Sequence, residues 1–441
     1  MEYFLGAIKR GKGVQELQQL QEKELVGNLE KQFGESFYVF DIKKLRSNYE
    51  KLYSAFKERY PYVTIGYSYK TNYLPALIKE MDSLGAYAEV VSRIEYDLAC
   101  KIGVESERII FNGPLKEYED LVLALKGNSI VNLDSFYEID LLEKFVRNHR
   151  GGPYKVGLRI NFDLSEAEKG IATSRFGFCV ENGNLERAIR RLHAIDEVEI
   201  VGFHGHFSTK SRSVDVYRKI TEKLCELSKK YIRDTLEYID IGGGMYGNVP
   251  SEFKLKDVPT FDDYAETVCE VLKKEWAYFK KPPRLIIEPG LAIVVDTFNF
   301  YCKVIDVKRN RDDYFVLVNG SIHNIKPTKH PRNLPMEHVK MAGGQYEQRT
   351  YHVVGYTCME TDYLAKNYES FLPKRGDYLV FSNVGAYTIV FDPQFIRERP
   401  PIIMREQNEF QVVRKREKLS DFINDNVYFF QSLLLVGAPF L

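Results

Sequence analysis

Short apolar runs rich in β-branched and aromatic residues alternate, from residue 63 to residue 288, with longer stretches of helical period. The runs Val63–Tyr69, Ala86–Val91, Ile109–Asn112, Ser129–Leu133, Lys155–Asn161, Val198–His204, Glu237–Ile241 and Leu285–Glu288 are eight strand candidates. Between them, Leu74–Leu84, Tyr96–Ile102, Ser135–Arg147 and Val214–Ile232 repeat apolar residues three and four apart, as a helix with one buried face does. Eight βα units in succession predict a closed (β/α)8 TIM barrel, with an open doubly wound sheet as the alternative.

The pattern changes after Gly290. Ala292–Val295, Phe298–Val307, Tyr314–Val318, Thr350–Val354 and Tyr378–Phe381 read as strands joined by turns and charged loops, and predict a second, mainly β domain. The early run Phe37–Phe40 is expected to join that sheet. Residues Asn324–Gln348, rich in Pro, His, Lys and Gly, read as a long loop. The expected organisation is an N-terminal segment 1–44 pairing with the β domain, a barrel over 45–290 and a β domain over 291–441. The apolar tail Val427–Leu441 is expected to pack on the body or on a subunit rather than anchor a membrane, because no window reaches the roughly 18–20 apolar residues of a membrane span.

Composition narrows the partners. Lysine plus arginine balance aspartate plus glutamate at 62 each over 441 residues, so no net field draws the chain to nucleic acid or an anionic membrane, and a small ligand is expected. The six cysteines are scattered without paired spacing, which argues against a disulfide framework and a zinc site; no metal is expected. Met1–Lys12 lacks a long apolar stretch followed by a small-residue cleavage site, so a signal peptide is not expected and a cytoplasmic location is.

Barrel active sites lie at the C-terminal ends of the strands, and the reactive residues fall there. Lys70 follows the first strand, Arg159 and Asn161 end the fifth, His204 and His206 the sixth, Gly242-Gly243-Gly244 follows the seventh and Glu288 ends the eighth. Burial beside an apolar run would lower the pKa of Lys70 and free an amine for an aldehyde cofactor. The glycines can bring N–H groups to a phosphate, Glu288 can keep a ring nitrogen protonated, and His206 can stack on that ring. These are the needs of pyridoxal 5'-phosphate. Each residue taken singly is also compatible with a plainer role: a solvated lysine, a tight turn, a satisfied histidine, a capping carboxylate.

Taken together the motifs resemble the fold-type III pyridoxal-phosphate decarboxylases, the diaminopimelate and ornithine decarboxylase family, over about Phe37 to Pro400. The resemblance is carried by Tyr67–Asn72, by Ala88–Ser92 with Glu95, by Phe111-Asn112-Gly113 with Lys116, and by Ser174–Gly177. Gly202–His206, the glycine triplet, Glu288-Pro289-Gly290, Cys358 with Asp362, and Gly385-Ala386-Tyr387 complete it. It implies a homodimeric amino-acid decarboxylase, a lyase, in which Lys70 carries the cofactor, His206 stacks on it, Glu288 meets its ring nitrogen, and Arg159, Thr209, Gly242, Gly243, Gly244 and Tyr387 are further cofactor contacts. Cys358 would be a catalytic acid completing the partner subunit's site, with Met359, Glu360, Asp362 and Lys326 near substrate. The departures are Leu291 where relatives usually have arginine, Met359 where an acidic residue often follows the cysteine, and Lys326-Pro327 for the usual Arg-Pro. They point to a specialised substrate, such as one of a secondary-metabolite or siderophore pathway. A racemase or epimerase and a regulator without activity are the alternatives.

Overall fold

The computed structural model describes residues 14–149 and 151–428, which form two compact units. One comprises residues 41–298 with 383–390; the other comprises 14–40, 299–382 and 391–428. The apolar tail lies outside the described residues from 429 onward. Among the described residues no helix is long and apolar enough to cross a membrane.

The described chain begins with helix α1 (Val14–Phe33) and strand β1 (Ser36–Asp41), then turns into α2 (Ile42–Lys57), where Asp41 Oδ1 accepts from Lys44 N at 2.9 Å as an N-cap. The larger unit then alternates strand and helix: β2 (Val63–Ser68), α3 (Pro75–Ser83), β3 (Tyr87–Val90), α4 (Arg93–Ile102), β4 (Ile109–Phe111), α5 (Tyr118–Lys126), β5 (Ile130–Leu133) and α6 (Phe136–Asn148). It continues with β6 (Tyr154–Asn161), a two-residue β7 (Phe178–Cys179), α7 (Asn184–His193), β8 (Val198–His204), α8 (Val214–Tyr231), β9 (Tyr238–Asp240), α9 (Phe261–Trp276) and β10 (Arg284–Ile287).

All eight expected barrel strands are present. They pair in parallel in the order β5-β4-β3-β2-β10-β9-β8-β6, and a β5–β6 pairing closes the ring, which decides for the barrel over the open sheet. Such strands are buried on both faces, so they read as continuous apolar runs rather than as alternation. The barrel interior is partly polar: Tyr238 donates to Asn132 Oδ1 at 2.7 Å across it. Gly202 makes room for that ring, since a Cβ there would lie 2.3 Å from Tyr238 Cζ.

The second unit is a nine-stranded mixed sheet, in the order β15-β14-β12-β11-β1-β17-β18. Its strands are β1, β11 (Phe298–Asn310), β12 (Asp313–Val318), β13 (Met336–Val339), β14 (Gln348–Val354), β15 (Tyr363–Phe371), β16 (Tyr378–Phe381), β17 (Ile402–Glu406) and β18 (Glu409–Arg414), with β16 joining β11 to β13. Helix α1 buries Val26 and Leu29 against Phe37, Tyr301, Tyr378 and Ile403 of the sheet, and Phe37 stacks on Tyr301 at 5.1 Å. Phe37–Phe40 thus joins the sheet as expected.

Two expectations fail. Ala292–Val295 is not a strand: Leu291–Val294 forms one helical turn, since a short apolar run carries no period to separate the two. The expected loop Asn324–Gln348 contains β13, whose mixed composition hid a strand paired antiparallel to β16. Residues 383–390, which include the Gly385-Ala386-Tyr387 stretch, belong with the barrel unit.

Candidate active site

Strand register brings the polar residues into rows. Arg159 of β6 is opposite His204 of β8, and His204 is opposite Asp240 of β9; on the other side Ser68 of β2 is opposite Glu89 of β3. These are C-terminal strand ends, where side chains from different strands converge. There a cavity of about 120 Å3 opens, lined by Lys70, His206, Thr209, Gly243, Glu288 and Tyr387 among others.

Lys70 stands on a single turn, Tyr69–Thr71, directly after β2. The turn is fixed on both sides: Tyr67 OH donates to Asn72 O at 2.8 Å, Asn72 Nδ2 donates to Gly385 O at 2.9 Å, and Tyr387 N donates to Thr71 O at 2.9 Å. Lys70 Nζ meets Glu89 Oε2 at 2.5 Å, and Ser68 Oγ donates to the same oxygen. Burial would lower the pKa of the lysine, but the carboxylates of Glu89 and Glu288 outweigh it, and the net shift is upward. The lowered pKa expected from the sequence is therefore wrong for this arrangement. An apolar flank says nothing of the acid that the next strand contributes.

Glu288 is 4% exposed and tightly used. Asn112 Nδ2 donates to its Oε1 at 2.5 Å and to Glu89 Oε1 at 3.1 Å, while Asn132 Nδ2 holds Asn112 Oδ1 at 2.9 Å. One carboxamide thus ties both acids together. His204 Nε2 lies 3.4 Å from Glu288 Oε2. Burial opposes ionisation of Glu288, but His204 and Lys70 override it and hold the carboxyl below the usual range. Burial and the Glu288 charge push Asp240 well above that range, so Asp240 keeps the proton of this coupled pair. Single donor atoms of His204, Asp240 and Glu288 fall within 4.8 Å of one another, a spacing that a cation could also use.

His206 Nδ1 accepts from Gly243 N at 3.0 Å, which leaves the ring proton on Nε2. Burial, with Arg159 and Lys70 nearby, lowers its pKa to about 3, so the imidazole is neutral. Arg159 donates to His206 O at 3.3 Å, pairs with Asp134 at 3.4 Å and rests 4.3 Å from the Phe176 ring centroid. Its guanidinium lies behind the histidine, among partners of its own.

The glycine triplet forms a tight approach. Gly242 and Gly244 have φ of +67° and +96°, and a Cβ on Gly243 would come within 2.0 Å of Glu288 O. Thr71 Oγ1 is buried with no hydrogen-bond partner. An amine, an acid, a neutral ring, hydroxyls and a side-chain-free backbone around one cavity fit the aldehyde, ring nitrogen, ring face and phosphate of pyridoxal phosphate.

Lys70, His206, Thr209, Gly243, Gly244, Glu288 and Tyr387 thus come together at one cavity, with Leu291 also on its wall. Lys326, Cys358, Met359, Glu360 and Asp362 belong to the sheet unit. There Asp362 is buried, accepting from Ile322 N at 2.7 Å, Thr357 N at 3.0 Å and Thr357 Oγ1 at 2.6 Å. Lys326 Nζ donates to Arg332 O at 3.1 Å, and Cys358 is exposed. Sequence reasoning gave no individual role to Glu89, Asn112 or Asp240. The available signal was an acid inside an apolar strand, Ala88-Glu89-Val90 or Ile239-Asp240-Ile241, which must be paired or protonated once buried.

Comparison with known proteins agrees with this geometry. Residues 46–295 match the family described as pyridoxal-dependent decarboxylase, pyridoxal binding domain. The diaminopimelate decarboxylase of Methanocaldococcus jannaschii is 26% identical over 415 residues, 90% of this chain and 92% of that protein. That of Aquifex aeolicus is 26% identical over 395 residues, 87% and 90% of the two chains. The crystal structure of the M. jannaschii enzyme superposes with a TM-score of 0.81, at 26% identity, over 89% of this chain and 92% of that one. With a matched region that spans more than half of its length and the cofactor's expected contacts gathered on one rim, the chain belongs to the pyridoxal-dependent decarboxylases, carboxy-lyases of amino-acid metabolism.

Proposed function

We propose that this chain removes the α-carboxylate of an amino acid as carbon dioxide and returns a proton to Cα, with Lys70, His206 and Glu288 as its central residues. The observation that carries this reading is the meeting of Lys70, Glu89 and Glu288 at the C-terminal ends of β2, β3 and β10. Pyridoxal phosphate, when bound, supplies an electron sink for the pair of electrons left at Cα as the C–C bond breaks. Lys70 offers the amine that binds its aldehyde carbon, and Glu89 with Ser68 fixes where that amine sits. Glu288, ionised and oriented by Asn112, holds a proton on the ring nitrogen. Neutral His206, anchored by Gly243, presents a flat face without adding positive charge. Gly244, Thr209 and Tyr387 take the phosphate, and Gly243, with its N–H on His206, contributes the room that a missing side chain leaves.

Cys358 is the proton donor to Cα and regains its proton from solvent. Among the described residues no thiol lines the barrel cavity, which supports a homodimer in which Cys358 comes from the partner subunit. Mixing Lys70→Ala and Cys358→Ala proteins tests this: shared sites regain activity in mixed dimers, and sites built within one chain stay inactive. The six unbridged cysteines support a reducing, cytoplasmic setting.

The relatives are diaminopimelate decarboxylases, and one M. jannaschii structure holds L-lysine. In this chain Met359 follows Cys358 and the Asp362 carboxylate is occupied by Ile322 and Thr357, which supports a substrate whose distal group is not a simple ammonium. The deciding experiment is a screen for carbon dioxide release and loss of chirality over diaminopimelate, ornithine, lysine, arginine, and acidic or acylated amino acids. It is paired with borohydride reduction and mapping of the pyridoxyl group. Carbon dioxide from one substrate with the label on Lys70 supports the reading; racemisation without carbon dioxide overturns it.

A further inference from the structure

Lys70, whose partner is Glu89, and Glu288 line the cavity together with Ser208, Thr209, Gly243, Gly244, Leu291 and Arg212. A phosphate bound there carries close to two negative charges, and neutral hydroxyls and backbone N–H groups alone leave them uncompensated. Leu291 adds no charge.

Arg212 is built into this wall. Its backbone is left-handed, with φ of +49°, and its carbonyl accepts from Tyr264 OH at 2.6 Å. The residues before it are pinned by Glu168, which accepts from Lys210 N at 3.2 Å and Ser211 N at 3.3 Å. The guanidinium lies 5.1 Å from the Tyr246 ring centroid. Among the described residues it makes no ion pair with a carboxylate, unlike Arg159, which is paired with Asp134. A half-buried arginine on the lining of a cavity, with its guanidinium near a ring and no carboxylate partner, has the donors to receive an anion.

We propose that Arg212 is the cation that holds the cofactor's phosphate in this chain. It pairs its guanidinium with the phosphate while Gly244 and Thr209 supply neutral donors and Gly243, whose N–H is held by His206, leaves room. The assignment rests on the reading of this cavity as the pyridoxal phosphate site and adds to it the residue that balances the charge.

The test compares two probes that differ only by the phosphate. Absorbance titrations of the cofactor-stripped full chain with pyridoxal phosphate and with pyridoxal are run on the parent protein, Arg212→Gln and Arg212→Lys. Arg212→Gln is expected to weaken pyridoxal phosphate about tenfold or more, as loss of a charge-assisted pair does, and to leave pyridoxal within about twofold. Arg212→Lys is expected to recover part of the loss, since it restores the charge without the planar fork. Inorganic phosphate should compete with pyridoxal phosphate in the parent and far less in Arg212→Gln. Unchanged pyridoxal phosphate binding in Arg212→Gln, or equal weakening of both probes, overturns the assignment and leaves the site's function standing. Failure of the parent to bind either probe overturns the cofactor reading and this assignment together.

Discussion

Lys70 and Lys116 both follow a barrel strand, and each meets a glutamate from the next βα unit, Glu89 at 2.5 Å and Glu138 at 3.1 Å. Their surroundings differ. Lys116 is fully buried and uses all three ammonium protons, on Gly113 O and Asn132 O at 2.9 Å each and on Glu138. Lys70 has a side chain 36% exposed toward a cavity, and its hydrogen-bond partner among the described residues is Glu89. A lysine with every donor satisfied and no exposure is a fastener between loops. One with an open face and an acid to position it is available for chemistry, so the count of free donors separates the two.

The comparison breaks most sharply if the two lysines are truncated in parallel. Lys70→Ala is expected to lower kcat by at least about three orders of magnitude with little change in the urea midpoint. Lys116→Met should do the reverse. It strands the buried Glu138 and removes about 3–5 kcal/mol of stability, read as a lower urea midpoint, while the folded fraction still binds pyridoxal phosphate. A Lys116 variant that folds normally and is dead would erase the distinction.

Smaller effects sharpen it. Glu288→Gln keeps the Asn112 contact but removes the charge, and kcat should fall about 100-fold with cofactor affinity reduced less. Asn112→Ala should lower kcat about tenfold by releasing the two acids that it ties together, a positioning effect whose signature is a shifted cofactor absorbance at unchanged substrate KM. A pH effect on stability concerns His206. Its folded pKa is lowered to about 3, against about 6.5 unfolded, so the stability linked to the neutral ring is fully present above about pH 6.5 and is lost as pH falls from there toward 3. His206→Asn should flatten that part of the urea-midpoint profile between pH 7.5 and 4.5, and an unchanged slope would contradict a buried neutral imidazole.

Much of the site could be read before the fold was known because each element of a barrel ends on the same rim. Lys70, His206, the glycine triplet and Glu288 could be placed there from strand order alone. What could not be read is how they are wired. The partnership of Glu89 with Lys70 follows from the Ser68–Glu89 register, and the bridge from Asn112 to Glu288 joins residues 176 positions apart. The same limit explains the error over Lys70, whose pKa depends on acids that neighbouring strands supply. It also explains why Ala292–Val295 reads as a strand and folds as a helical turn, since an apolar tetrapeptide declares burial and not conformation.

The sequence by itself determined the barrel, the second sheet and the chemical types at the strand ends, because periodicity, strand order and motif spacing are properties of the chain. Tertiary structure decided which carboxyl is charged, which lysine is free to react and that residues 383–390 return to the barrel unit. Those outcomes depend on distances of a few ångströms between groups far apart in the chain, and electrostatic and hydrogen-bond energies are set by such distances.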